Sequence, residues 1–389
     1  MRPSSALFAL VLALAACAQG PQRAQPDAAR VEAFRAQGWA GASHTAEPER
    51  LLSWGLHEAA LPYRLALPAA PGPRPLIVYL PGLGEGPEAG QRWREAWVRA
   101  GYAVLSVQAL AEDAEAWRSP LARQGEFAAL AAHHQGLRGA RLKRLRAFLA
   151  ALPTALPAEL AGRLDLQHAG LAGYDLGADA ALHLSAAPAD GLHWQALLLI
   201  SPPAEGPLPA PGLPLLGISG PGDGDALRGL DDGRRAGREA LFHAAPLLWL
   251  RQLSHLQFSG SAEAERAQSE GRSHGGGEHG AASGGRGRRG GGGGGGGGMP
   301  AKTGRAGGDG RDGRDGPLAP VPPGLNAQQL TLLSQERLAL QAVSTAFWDA
   351  SLRGDAAARR WLREQAPAWL APVGQLRGAA LQDSASTSR

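Results

Sequence analysis

Three side chains of the sequence, Asp175, Asp223 and His255, have the residue types and the chain order of a hydrolytic triad. Asp175 is the centre of the segment GYDLG at 173–177, which lies between an apolar run and a helical pattern. Turns of this form hold the central side chain in a strained backbone position, and the glycines avoid clashes that a Cβ atom would cause. In such a triad a nucleophile bonds to the substrate, and an acid orients a histidine that moves protons. The three residues are therefore the candidate catalytic set.

The elements expected to position these residues alternate along the chain. Short apolar runs bounded by proline or glycine are typical of strands that are buried on both faces of a parallel sheet. Such runs lie at 75–80, 102–107, 164–172, 194–200, 213–218 and 247–250, and residues 61–68 have the pattern of an edge strand. Helical patterns lie at 91–100, 141–152 and 178–185. We predict an α/β fold with a mostly parallel, doubly wound sheet of about six to eight strands and helices on both faces.

The N-terminal segment has the features of an export signal. Arg2 precedes an apolar run at 6–16 that is too short to span a bilayer, and the sequence LAAC at 14–17 follows. This pattern resembles a bacterial lipoprotein signal, with Cys17, the single cysteine, as the site of lipid attachment. Ala18 stands where an acidic residue would favour the inner membrane. We therefore expect a chain anchored by lipid at Cys17 to the outer membrane of a bacterial cell envelope, facing the periplasm.

The remainder of the chain divides by composition. The stretch after the signal is polar and rich in Ala, Gln and Pro, as flexible linkers are. The Gly- and Arg-rich stretch offers too little apolar surface to offset the entropy of ordering, and Asn326 can cap a helix after it. The predicted divisions are 1–17 as signal, 18–48 as flexible tether, 49–260 as core, 261–324 as disordered insertion, 325–372 as C-terminal helices of the core domain and 373–389 as a loose tail.

The charged residues and the histidines of the sequence do not indicate a nucleic acid or a metal ion as a further partner. The net charge of +4 comes in good part from arginines of the glycine-rich stretch, where no aromatic residue is interleaved to stack on bases, so no nucleic acid is expected. A literal G-x-S-x-G match at 271–275 follows no strand and is explained by composition. His133 and His134 lack a third ligand at a known spacing, so we predict a surface helix there and no metal. The basic residues at 141–146 are expected on a solvated helix face.

Several motifs together resemble those of the α/β hydrolases, in particular the bacterial dienelactone-hydrolase-like and platelet-activating-factor-acetylhydrolase-like esterases. They are LPGLG at 80–84, similar to the family's oxyanion loop, GYDLGA at 173–178, SHLQFSG at 254–260, and the closing helices at 346–362. The resemblance implies an α/β-hydrolase fold and a hydrolase that needs no cofactor. Pro81 stands where the family often has histidine, and Asp175 stands where these esterases have serine.

The aspartate changes the chemistry that the resemblance implies. A carboxylate that attacks an ester would form an anhydride in a poor exchange, whereas carboxylates attack sp³ carbon atoms bearing a leaving group well. Haloalkane dehalogenases and epoxide hydrolases, which have aspartate at this turn, work in this way. Resemblance to them implies Asp175 as nucleophile, His255 as the base that activates water and Asp223 as its orienting acid. It also implies an oxyanion hole formed by the amides of Leu83 and Leu176. The expected substrate is a small organic molecule with an ester, epoxide or carbon–halide bond.

Alternatives remain open at each of these positions. Asp175 can instead be an inert replacement for serine in a protein that binds a ligand or an envelope partner, since a helix N-terminus stabilises a carboxylate without any reaction. A weak carboxylesterase that uses water activated by His255, with Asp175 as an electrostatic neighbour, is a third possibility. Asp225 competes with Asp223 for the role of the acid.

Overall fold

Apolar runs form the nine strands of one mixed sheet in the computed structural model, which describes residues 24–55, 60–186, 191–203, 212–224, 242, 245–261 and 325–378. The strands in chain order are β1 (Arg50–Trp54), β2 (Leu61–Ala66), β3 (Arg74–Leu80), β4 (Ala103–Val107), β5 (Leu164–Tyr174), β6 (Trp194–Ile200), β7 (Leu215–Ser219), β8 (Leu247–Leu250) and β9 (Gly374–Arg377).

The strands follow the order β1-β2-β4-β3-β5-β6-β7-β8-β9 across the sheet. The six central strands, from β4 to β8 in this order, are parallel to their neighbours. The pairs β1–β2, β2–β4 and β8–β9 are antiparallel. The order reverses at β3, where the chain crosses from β4 back towards β5. Side chains at the carboxyl ends of the neighbouring parallel strands therefore meet at one edge of the sheet, where ligands bind in open α/β sheets.

Helices connect these strands and follow them. In chain order they are α1 (Ala28–Gln37), α2 (Gln91–Arg99), α3 (Ala111–Ala114), α4 (Pro120–Arg123), α5 (Phe127–Gly136), α6 (Arg138–Ala155), α7 (Ala158–Ala161), α8 (Leu176–Ser185), α9 (His255–Phe258), α10 (Ala327–Leu352), α11 (Ala356–Glu364) and α12 (Ala366–Leu370), with a 3-10 turn at Ala116–Arg118. The predicted cap of α10 is confirmed, because Asn326 accepts a hydrogen bond of 2.9 Å from the Gln329 amide. Across the described ranges, the helices lack the combination of length and apolar composition that a membrane span requires.

Alternate residues of the strands pack into two cores, one on each face of the sheet. In β3, Ile77 and Tyr79 belong to the core that contains side chains of α2 and α10. Leu76 and Val78 belong to the core that contains side chains of α6 and α8. This alternation follows from the two-residue period of a strand, and it shows that helices cover both faces. The coarse prediction of an α/β fold is confirmed.

The edges of the sheet differ from the prediction. The described part of the chain contains nine strands where six to eight were expected, and β2 is not an edge strand, because β1 pairs with it from Arg50 to Trp54. At the other edge β9 pairs with β8 in the region that was expected to be a loose tail. β1 and β9 are short and half exposed, so their residues lack the continuous apolar runs that reveal the central strands.

The segment expected as a flexible tether also differs from the prediction over part of its length. Asp27 caps α1 by accepting a hydrogen bond from the Arg30 amide. Phe34 is buried and stacks on Trp369 of α12 with 4.3 Å between ring centroids, and the Trp369 indole donates to its carbonyl oxygen. Phe34, a single aromatic residue in a polar stretch, thus packs α1 against the C-terminal helices. Cys17 and residues 262–324 of the predicted insertion at 261–324 lie outside the described residues, whereas Ser261 is described and buried.

Candidate active site

The turn between β5 and α8 places Asp175 in a backbone conformation that few residues adopt. Its φ of 50° and ψ of −121° lie in a sparsely populated region. The Asp175 amide donates to the carbonyl oxygen of Ile200 at the end of β6, at 3.1 Å, and its own carbonyl oxygen accepts from the Ala178 and Asp179 amides of α8. The strand before it and the helix after it therefore hold Asp175 in this conformation.

The two glycines of the turn are required by close backbone contacts. A Cβ atom on Gly173 would collide with the backbone of Gly177 and Ala178. A Cβ atom on Gly177 would collide with the carbonyl oxygens of Leu80 and Pro81, where β3 ends. Backbone atoms cannot move aside as a flexible side chain can, so both positions exclude any larger residue. The glycines thus bring the Asp175 turn against the loop after β3.

That loop supplies a hydrogen-bond donor to the Asp175 carboxylate. The Leu83 amide donates to Oδ2 of Asp175 at 3.2 Å, and both residues are buried. Leu176, the other predicted donor, is the first residue of α8, where amides have no carbonyl partner within the helix. The loop itself is fixed by Gln108, whose side-chain amide donates to the carbonyl oxygens of Gly82 and Glu85 at 3.0 Å each. The loop that was predicted to supply an oxyanion donor therefore contacts the Asp175 carboxylate through the Leu83 amide.

Asp223 and His255 form a direct pair at the same edge of the sheet. Nδ1 of His255 lies 3.0 Å from Oδ1 of Asp223, and both side chains are buried. An ionised carboxylate only accepts hydrogen bonds, so Nδ1 carries the proton and Nε2 is the basic nitrogen. This orientation leaves Nε2 as the nitrogen that would accept a proton, and the role of His255 as the base for water stays a prediction. Asp225, the competing acid, lies outside the described residues.

Two serines missed by the sequence analysis complete the surroundings of this pair. Ser201 directly follows β6, donates to Oδ1 of Asp223 at 2.5 Å and lies 2.8 Å from Nδ1 of His255. Ser219, the last residue of β7, donates to Oδ2 of Asp223 at 2.7 Å. The Asp223 carboxylate is therefore held on both oxygens. Ser201 also has a φ of 48°. In a residue other than glycine this backbone conformation is strained, and it persists only where surrounding contacts hold it.

Tyr174 connects the elbow to the histidine. It precedes Asp175, its ring lies 5.1 Å from that of His255, and its hydroxyl donates to the His255 carbonyl oxygen at 2.9 Å. Burial raises the pKa of Tyr174 well above its usual value, and the carboxylates of Glu85, Asp175 and Asp223 raise it further, so the phenol is neutral. Tyr174 is thus next to the predicted nucleophile in the chain and contacts the histidine of the predicted acid–histidine pair.

Glu336 of α10 holds the loop that leads to His255. Its carboxylate accepts hydrogen bonds from the amides of Gln252, at 2.9 and 3.0 Å, and Leu253, at 2.8 Å. Burial raises the pKa of Glu336 to about 7, although these amides and Arg251 favour the charged form. No sequence signal pointed to this residue, because it lies after the glycine-rich insertion and has no motif around it.

Glu85 is a second carboxyl group in the loop that contacts Asp175. The Gly82 amide donates to its Oε2 at 3.1 Å, and the Ser261 hydroxyl donates to its Oε1 at 2.7 Å. Burial raises the pKa of Glu85 to about 7 against the hydrogen bonds of Ser261, Gly82 and Ser259, and the charge of Asp175 raises it further. The motif at 80–84 predicted only backbone donors in this loop, and no sequence pattern pointed to the carboxyl group of Glu85.

The predictions for His134 and Arg141 are wrong, because both side chains are buried. Nδ1 of His134 lies 2.8 Å from Asp113, and Arg141 makes two hydrogen bonds to the same carboxylate, at 2.7 and 2.8 Å. Burial raises the pKa of Asp113, but the hydrogen bonds from His134 and Arg141 outweigh this effect and lower it. The cluster also holds the loop that contacts Asp175, because the Asp113 carbonyl oxygen accepts a hydrogen bond of 2.7 Å from the Gly84 amide. His133 next to it is exposed.

Within the ranges that the structure describes, no three His, Cys, Asp or Glu side chains are grouped so that they could hold a metal ion. No protein-family model matches the chain, and no curated protein matches it significantly. The functional assignment therefore depends on the geometry of Asp175, Asp223 and His255.

Proposed function

We propose that this protein is a hydrolase of the α/β-hydrolase fold that acts on a small organic substrate through a covalent ester on Asp175. In the first step, Oδ1 of Asp175 attacks an sp³ carbon of the substrate and displaces a leaving group. In the second step, a water molecule that loses a proton to Nε2 of His255 attacks the carbonyl carbon of the ester. The ester bond breaks at that carbon, and the alcohol product takes the proton from His255. The Asp175 carboxyl group then releases the second proton of the water to solvent, which regenerates the carboxylate.

The hydrogen bond from the Leu83 amide to Oδ2 of Asp175 is the observation that carries this proposal. When water attacks the ester, negative charge develops on the carbonyl oxygen, and a donor placed beforehand lowers the barrier. Since Oδ2 already accepts from Leu83, it is the oxygen that becomes this oxyanion. The attacking oxygen is then Oδ1. The Leu176 amide at the start of α8 supplies the second donor.

The orientation of His255 supports the second step. Asp223 and Ser201 engage Nδ1, which fixes the tautomer with the basic nitrogen at Nε2. Ser201 is not the nucleophile of a serine hydrolase in this arrangement, because its hydroxyl donates to Asp223 and contacts the protonated nitrogen of the imidazole. A serine nucleophile would have to give its proton to Nε2. The geometry therefore favours Asp175 over Ser201 as the attacking residue.

A single turnover in ¹⁸O-labelled water tests the proposal, followed by mass spectrometry of the peptide that contains Asp175. Excess enzyme is mixed with small epoxides, haloalkanes and esters. Incorporation of ¹⁸O into Asp175 is the expected result, because the water oxygen stays on the aspartate when the ester is cleaved. Turnover without label in Asp175, or ester turnover that Asp175→Asn leaves unchanged, contradicts the covalent mechanism. Saturable binding of these molecules without any turnover favours a non-catalytic binding protein.

We also propose that the protein is lipid-anchored at Cys17 and lies at the outer membrane, facing the periplasm. The sequence LAAC at 14–17 after a short apolar run supports this proposal. Expression with a radioactive fatty acid should label the wild-type protein and leave Cys17→Ser unlabelled. Labelling of the Cys17→Ser variant, or a soluble wild-type protein without label, would contradict it.

A further inference from the structure

Glu85 and Asp175 are bound by consecutive amides of the same loop. The Gly82 amide donates to Oε2 of Glu85 at 3.1 Å, and the Leu83 amide donates to Oδ2 of Asp175 at 3.2 Å. Neighbouring backbone nitrogens are separated by three covalent bonds, so the two bound oxygens lie within roughly 11 Å of each other. The Glu85 carboxyl group therefore lies beside the site at Asp175, near enough for the negative charge of Asp175 to act on it.

The surroundings of Glu85 favour its protonated form. The residue is half-buried, its two carboxyl oxygens accept hydrogen bonds from Gly82 and Ser261, and burial raises its pKa to about 7. The titratable groups facing it are Asp175, whose negative charge raises the pKa further, and Tyr79 and Tyr174. Burial raises the pKa of both phenols well above the usual value, so both are neutral, and a phenol supplies no positive charge that would stabilise a Glu85 carboxylate. Glu85 is therefore largely protonated in weakly acidic solution, and part of it still holds a proton at neutral pH.

The two tyrosines near Glu85 have other hydrogen-bond partners. The Tyr79 hydroxyl donates to the carbonyl oxygen of Ser259 at 3.4 Å, and the Tyr174 hydroxyl donates to that of His255 at 2.9 Å. A phenol that already donates to the backbone does not give its proton to a substrate without breaking that bond. Of these three groups, Glu85 is the acid suited to proton transfer.

We propose that Glu85 gives its proton to the leaving oxygen when Asp175 attacks, and that the substrate is a strained cyclic ether such as an epoxide. The inference rests on the proposed function, in which Asp175 is the nucleophile. A halide leaves as a stable anion and needs no acid, whereas an alkoxide is a poor leaving group unless it is protonated. A proton donor beside the nucleophile therefore selects a carbon–oxygen bond over a carbon–halide bond.

The step balances with the groups present. Oδ1 of Asp175 forms a bond to a ring carbon, the bond from this carbon to the ring oxygen breaks, and its electron pair stays on the oxygen. The oxygen takes the proton of Glu85, which gives a hydroxyalkyl ester of Asp175 and a Glu85 carboxylate. Water, with His255 as base, then releases a vicinal diol. Asp175 then loses a proton to solvent, and Glu85 takes one up from solvent. The net reaction is the addition of water to the epoxide to give the diol.

Trapping the ester tests the inference. In a His255→Gln background, which blocks hydrolysis, the Asp175 peptide is followed by mass spectrometry with styrene oxide and with 2-phenylethyl bromide, from pH 5 to 9. We expect the epoxide adduct to form, with a rate that falls as the pH rises through about 7. Glu85→Gln should lower this rate by about 100-fold or more, and should leave any reaction with the bromide unchanged. Glu88→Gln, an exposed carboxylate of the same loop, is the matched control and should behave as its parent.

A second variant keeps the test independent of the folding of Glu85→Gln. Ser261→Ala removes a hydrogen bond that favours the Glu85 carboxylate, so the fall in epoxide rate should move to higher pH. An epoxide rate that Glu85→Gln leaves unchanged, or equal slowing of both probes, overturns the inference and leaves the proposed function standing. An adduct that forms with the bromide and not with the epoxide also overturns the inference and leaves the proposed function standing. No adduct with either probe overturns the proposed function, and the inference with it.

Discussion

The Leu83 amide donates a hydrogen bond of 3.2 Å to Oδ2 of Asp175, which lies 92 residues further along the chain. The bond depends on the close approach of two backbone segments, the loop after β3 and the turn before α8. Gly177 faces the carbonyl oxygen of Leu80 without any space for a Cβ atom. The distance between amide and carboxylate is therefore set by glycine at this position.

Gly177→Ala should accordingly destabilise the protein and abolish the covalent reaction of Asp175. The added methyl group meets backbone atoms that cannot rotate away, so we expect the free energy of unfolding to fall by about 3 kcal/mol. Urea unfolding measures this change, and mass spectrometry measures the adduct. Gly139→Ala is the control, because a Cβ atom there has no neighbour within 4 Å, and alanine in helix α6 should add about 1 kcal/mol. Equal effects of the two substitutions would refute the explanation.

Ser201→Ala should slow hydrolysis of the Asp175 ester more than its formation. The substitution removes the hydroxyl that donates to Asp223 and contacts Nδ1 of His255, so the imidazole loses part of its orientation. We expect the second step to slow about 10-fold, with accumulation of the ester in rapid-quench mass spectrometry. Ser185→Ala provides a comparison, since that hydroxyl bonds only to the carbonyl oxygen of Leu182 within its own helix. Equal slowing of both steps in Ser201→Ala would indicate general damage to the fold instead.

The sequence was informative where local pattern determines structure. The central strands, the elbow and the positions of Asp223 and His255 after strands follow from apolar runs and glycine spacing. Ser201 was missed because serine is common after strands, although its place at the carboxyl edge of the sheet was a usable signal. Phe34 was missed because a single aromatic residue does not change the polar average of its segment. Glu336 depends on a contact across more than 80 residues, which no local pattern records.

The stability of the wild-type protein should fall between pH 5 and 9 in part through Glu336. Its pKa of about 7 in the folded state exceeds the usual value of 4.5, so its contribution is full below pH 4.5 and lost as the pH rises through 7. Relative to Glu336→Gln, we expect the wild type to lose about 3 kcal/mol over this range. Urea unfolding at pH 5 and 9 measures the difference. Glu364→Gln, at an exposed carboxylate of α11, should show none, and a Glu336→Gln protein with the wild-type pH dependence would contradict the assignment.

Arg141→Ala should destabilise the protein by about 4 kcal/mol, because it removes both hydrogen bonds that Arg141 donates to the buried Asp113 carboxylate. Arg146→Ala in the same helix removes an exposed arginine and should change the free energy of unfolding by less than about 0.5 kcal/mol. Since the pKa of Asp113 is lowered in the folded protein, the effect should be present at neutral pH and should shrink as the carboxyl group is protonated in acid. Chemical unfolding at pH 7 and at pH 3 measures both changes. An Arg141→Ala protein as stable as Arg146→Ala at pH 7 would mean that Asp113 relaxes into solvent, and that the cluster does not support the loop at Gly84.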